Sequence, residues 1–151
     1  MSIETIQSGI AAIGDEMKPS LTKTFSTPPG KLDTAELPAL YAFTGSAAYD
    51  WSVDGTDECQ ETRTYRVQVA VLTREEANPE AREKRCRPLL NLARDTFAKH
   101  RKLGNVRGVK RSIVDSDSGI VILPEYEGRF IGFEIRLKVS EGVTRSAAPG
   151  E

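Results

Sequence analysis

The stretch TYRVQVAVLTREEANPEAREKRCRPLLNLARDTFAKH, residues 64–100, decides the fold. Tyr65, Val67, Val69 and Val71 alternate with Arg66, Gln68 and Ala70. That is the period of two expected of a strand with one buried face. The period then changes. Asn78 suits a helix N-cap, and Pro79 suits the first helical position, where its missing N–H is not needed. Beyond it Cys86, Leu89, Leu90, Ala93 and Phe97 recur at steps of three and four, as on one helix face. Pro88 lies inside this pattern; it predicts a kink, or the first turn of a second segment beginning near Arg87. Leu103-Gly104 closes the helix, with Lys99, His100, Arg101 and Lys102 near its end, where cations suit the dipole.

On the N-terminal side, Ser2 can cap a helix carrying Ile3, Ile6, Ile10, Ile13 and Met17 as one apolar stripe. The stripe either covers a sheet or binds a partner, and Pro19 ends the helix. Gly9 and Gly14 each weaken it by up to ~1 kcal/mol against Ala, so it needs tertiary support. Leu21 to Phe25 reads as a short strand and residues 27–31 as a loop. Leu37 to Phe43 reads as a strand, with Pro38 confined to its start or an edge. Residues 44–61 turn rich in Gly, Ser, Asp and Thr and read as a long acidic loop, of the kind that is functional or mobile. Trp51 either pins this loop or is offered to a partner.

On the C-terminal side, Val106 to Val114 reads as a strand. Asp115 to Gly119 reads as a hairpin turn and Ile120 to Pro124 as the return strand. A second turn covers residues 125–128. Arg129 to Ser140 alternates cleanly, Ile131, Phe133, Ile135, Leu137 and Val139 on one side, Phe130, Gly132, Glu134, Arg136 and Lys138 on the other. Residues 143–151, rich in Ser, Ala, Pro and Gly, read as a disordered tail. Strands joined by short turns pair antiparallel. The sequence therefore predicts a two-layer α+β domain over residues 1–142: a mostly antiparallel sheet with two helices on one face.

No run approaches the ~20 apolar residues of a membrane span, and the N-terminus lacks the basic region of a secretory signal. Cys59 and Cys86 form no CxxC pair and read as free thiols of a reducing cytoplasm. His100, the only histidine, reads as a solvated cap. Asp115-x-Asp117-x-Gly119 lacks the further acidic ligands of a calcium loop. There is no phosphate loop and no nucleophile elbow. The sequence thus offers no catalytic residue, metal site or cofactor site, and an enzyme is not expected.

Charge is the one chemical feature above background. Residues 1–61 hold ten Asp and Glu against three Lys, a net of −7, while residues 82–111 hold eleven Lys and Arg against two acids, a net of +9. The basic stretch reads as a solvated helix face, a protein interface, or a nucleic-acid footprint, since clustered cations supply phosphate affinity without sequence preference. Candidate interface cations are Arg82, Arg85, Arg87, Arg101, Lys102, Lys110 and Arg111. Candidate acids are Asp50, Asp54, Asp57, Glu58 and Glu61.

The order of elements adds a resemblance. An N-terminal helix, Leu37-Pro38-Ala39-Leu40-Tyr41-Ala42-Phe43, the Tyr65–Leu72 strand and its helix are followed by Ile120-Val121-Ile122-Leu123-Pro124 paired with Phe130–Val139. Over about residues 2–140 this resembles the tail-terminator, or tail-completion, proteins of long-tailed bacteriophages. The resemblance implies a structural subunit of a homohexameric ring. That ring caps the tail tube at the head-proximal end of the virion tail and joins it to the head–tail connector, with DNA passing through its lumen. It carries no catalytic residues. A connector or neck protein of the same assembly is the neighbouring expectation, and a small cytoplasmic nucleic-acid-binding module using residues 82–111 is the other.

Overall fold

A computed structural model describes residues 3–51 and 58–144. The element order is α1 (Ile3–Asp15), β1 (Lys23–Thr24), β2 (Ala39–Trp51), β3 (Glu58–Thr73), α2 (Pro79–Lys99), β4 (Val109–Asp117), β5 (Val121–Leu123) and β6 (Phe130–Thr144). The sheet order is β1-β2-β3-β6-β4, with β5 beside β6. Among the described residues only the β1–β2 pair is parallel. This is the expected two-layer α+β architecture.

Both helices lie on one face. Ile6, Ile10, Ile13 and Met17 of the N-terminal stripe meet Cys86, Leu89, Ala93 and Phe97 of α2 over Ala42, Val67, Val69, Phe133, Ile135 and Leu137. The stripe therefore covers the sheet, although Ile3 at its start stays 38 % exposed. Gln7 is anchored there by donating to the Ala42 carbonyl at 3.0 Å. Asn78 caps α2 as expected, its side chain accepting from the Ala81 N–H at 2.8 Å. Both cysteines are free and buried, and burial pushes the Cys86 thiol up to about 11.

The opposite face carries a smaller core of Leu32, Ala39, Tyr41, Ala70, Leu123 and Phe130, roofed by the chain between β1 and β2. Beside it the sheet is polar. Arg66 stacks on Phe43 at 5.2 Å and donates to Glu125 at 2.6 Å and Glu134 at 2.8 Å. Gln68 donates to both carboxylates at 3.0 Å.

Four expectations need correction. Residues 44–61 are not a long loop. β2 continues to Trp51 and β3 begins at Glu58, pairing Tyr49 with Glu61 and Trp51 with Cys59. A β-bulge between Thr44 and Ala47 shifts the alternation, so the pattern of two is broken in the sequence although the strand goes on. Second, Asp115 to Gly119 is not a hairpin. β4 runs on to Asp117, and both β4 and β5 pair with β6, at residues 135–141 and 130–132 respectively. They form one interrupted edge, stitched where Ser118 Oγ accepts from the Glu134 N–H at 2.9 Å. Third, α2 is a single helix through Pro88, with no second segment. Fourth, β6 extends to Thr144, beyond the expected end at Ser140 and into the expected tail; residues 145–151 lie outside the described residues.

Candidate assembly surfaces

The strands leave two edges of the sheet open, and the charged candidates divide between them. β1 pairs with β2 only at Ala39 and Leu40. Beyond Leu40 no strand covers the outer edge of β2 among the described residues. At the far side, among the described residues, β4 pairs only with β6, and two loop bonds reach it, the Ser112 N–H donating to the Arg101 carbonyl at 2.6 Å and the Val109 N–H to the Val106 carbonyl at 3.2 Å. An uncovered edge presents unpaired N–H and C=O groups, a template for pairing with another chain.

At the β2 edge, Tyr49 and Trp51 stack with ring centres 6.5 Å apart and planes 17° apart. They are 50 % and 41 % exposed. Trp51 thus presents much of its ring at the end of an edge strand. Asp50, exposed, points to the opposite face of the strand, paired with Gln60. Asp54 and Asp57 fall outside the described residues. Glu58 begins β3.

Glu61 leaves the surface set. It is buried and accepts from Arg63 Nε at 2.8 Å, while Arg63 also donates to Tyr49 Oη at 3.1 Å. Glu61 faces Glu141 across the β3–β6 pair. Burial first and the Glu61 carboxylate second raise the Glu141 carboxyl above its ordinary range, with Arg63 opposing. The sequence hid this pair, because the two acids stand 80 positions apart and only strand register brings them together.

The seven basic candidates form two groups. Arg82, Arg85 and Arg87 belong to the first half of α2. Arg85 sits 3.5 Å from Glu76 and Arg87 2.7 Å from Glu83, and Arg82 is half-buried. Exposed pairs of this kind contribute only about 0–1 kcal/mol. The second group, Arg101, Lys102, Lys110 and Arg111, is exposed around the start of β4, and none of the four forms an ion pair among the described residues. Arg101 and Arg111 line a cleft with Ala98, Ser112, Ile113 and Val114, of about 290 Å³. From residue 96 to residue 114 the chain contains no acidic side chain.

No group of three His, Cys, Asp or Glu is placed to hold a metal among the described residues. His100 is less solvated than expected: it caps α2, and its Nε2 lies 2.6 Å from Glu16 Oε2, just past the end of α1. No helix among the described residues is long and apolar enough to cross a membrane. No protein-family model matches the chain, and no curated protein matches it either.

Proposed function

We propose that this chain is a structural subunit that closes into a ring, acting as the tail terminator of a long-tailed bacteriophage. The ring caps the tail tube, receives the head–tail connector and performs no catalysis. One observation carries the reading: the sheet has two open edges that differ, β2 ending in an exposed aromatic pair beside Asp50 and β4 beginning among four cations that form no ion pair among the described residues. The strands alternate in direction from β2 through β3 and β6 to β4. Copies set side by side therefore bring β2 of one against β4 of the next in antiparallel sense. Two different complementary edges make a heterologous contact, which generates a ring wherever the rotation closes. The order of elements shared with tail terminators supports the same reading.

Sedimentation velocity over a range of concentrations, with native mass spectrometry, tests it. A six-fold species is expected. A monomer at every concentration overturns the ring. If that monomer also shifts on duplex DNA at moderate salt, the basic group is a nucleic-acid surface instead.

A further inference from the structure

The two open edges differ in shape as well as in charge. One carries a projection and the other a recess. The projection is the stacked Tyr49–Trp51 pair, on the outermost strand and half-exposed. The recess is the cleft between the end of α2 and β4, floored by Ala98, Ile113 and Val114 and flanked by Arg101 and Arg111. The projection lies on the helix side of the sheet, and the recess opens at the edge itself, lined from both faces. Tyr49 and Trp51 share the face of Glu61 and Cys59, which runs on through Tyr65 and Val67 beneath the helices. Ser112 and Val114 share the face of Val139 and Leu137, also beneath the helices, while Arg111 and Ile113 share the opposite face with Ser140 and Lys138. Side-by-side copies with helices on the same side therefore turn the projection of one toward the recess of the next.

We propose that Tyr49 and Trp51 of one subunit seat in the Arg101–Arg111 cleft of its neighbour, and that this interlock sets the register between the two edges. The inference rests on the ring reading and names its contact. The chemistry is matched. An arginine over a Trp or Tyr face is attracted to the ring, worth about 0.5–2 kcal/mol depending on desolvation. Aromatic residues and Arg are also the side chains that most often carry interface energy. Asp50, on the other face of β2 beside Gln60, comes to the side of the edge that carries Arg111, which forms no ion pair among the described residues. The occupant is accordingly a second copy of this chain.

A mixing experiment tests the interlock. One variant, Tyr49→Ala with Trp51→Ala, removes the projection. The other, Arg101→Glu with Arg111→Glu, spoils the recess. Each alone should self-associate at least tenfold more weakly than the parent, with an unchanged far-ultraviolet circular dichroism spectrum. Mixed in equal amounts they should form a dimer and nothing larger, because only one competent pair of edges remains. Ala98→Trp, at an exposed helix position, fills the recess without touching the arginines and should repeat the second result. If the parent assembles and the variants assemble equally well, or if the mixture yields no dimer, the interlock is wrong while the ring stands. If the parent itself stays monomeric at every concentration, the ring reading fails and the interlock falls with it.

Discussion

Gly132 sits where β6 faces the bulge in β3, and a Cβ there would collide with the Val69 carbonyl oxygen. Gly45 stands in the same relation to the Thr64 carbonyl oxygen, at the bulge in β2. The obstacle is backbone in both cases and cannot rotate away. Gly132→Ala should therefore cost at least the about 1–3 kcal/mol of an overpacked site, read by urea denaturation. Phe97 is 1 % exposed between α2 and the sheet; Phe97→Ala should cost about 3–5 kcal/mol through lost transfer energy and a cavity. Two carboxylates should give opposite pH responses. Burial pulls Glu125 upward, but hydrogen bonds from Gln68 and Arg66 outweigh it and hold the group below its ordinary value. Its contribution is present above the unfolded pKa of about 4.3 and is lost as pH falls through the lower folded value. Glu141 is raised, so its favourable state is the protonated one, and stability is lost as pH rises through the folded value. Glu141→Gln should raise the melting temperature at pH 7, and the gain should vanish below about pH 4. Thermal melts of parent and variant from pH 3.5 to 8 check both the sign and the window.

At the scale of elements, α2 tolerates Pro88 because Cys86, Leu89, Ala93 and Phe97 hold it to the sheet on both sides of the break. An interior proline removes one helical hydrogen bond and crowds the preceding turn, at about 3 kcal/mol. Restricting the unfolded chain offsets up to about 1 kcal/mol of that. Pro88→Ala should thus stabilise the protein by about 1–2 kcal/mol, measured by chemical denaturation. β3 is flanked by β2 and β6 along nearly its whole length. Its amides from Cys59 to Val71 should exchange as slowly as any in the molecule, whereas the uncovered part of β2, residues 47–51, should exchange faster at the amides that face outward. Exchange at residues 59–63 as fast as at an open strand would contradict the extended β2–β3 pairing.

At the scale of the whole molecule, cationic charge gathers at the start of β4, whose far end carries Asp115 and Asp117. Asp50 marks one edge; Arg101, Lys102, Lys110 and Arg111 mark the other. Exposed pairs add little affinity, so charge should act mainly on orientation and encounter rate. Raising salt from 0.1 M to 1 M shortens the screening length from about 10 Å to about 3 Å. Ring assembly followed by light scattering should slow accordingly, while the final assembly at saturating protein persists. Reversing Arg82, Arg85 and Arg87 to Glu should affect this salt response less than reversing Arg101 and Arg111, since Arg85 and Arg87 already pair with Glu76 and Glu83.

The sequence by itself determined the strand at Tyr65–Val71, the helix from Pro79, the N-terminal stripe and the alternation of β6. Each is a local period carried by adjacent side chains, and local periods reflect which face is buried. It determined the segregation of charge along the chain as well. Tertiary structure decided what no local period records. The bulge between Thr44 and Ala47 breaks the alternation, so composition suggested a loop where β2 continues. β4 and β5 share β6 as partner because strand pairing is a contact between distant residues, and the turn residues between them fit a hairpin equally well. The same long-range register buried Glu61 opposite Glu141. It also placed the aromatic pair and the arginine cleft on opposite edges of one sheet, because a strand's place in a sheet is set by its partners.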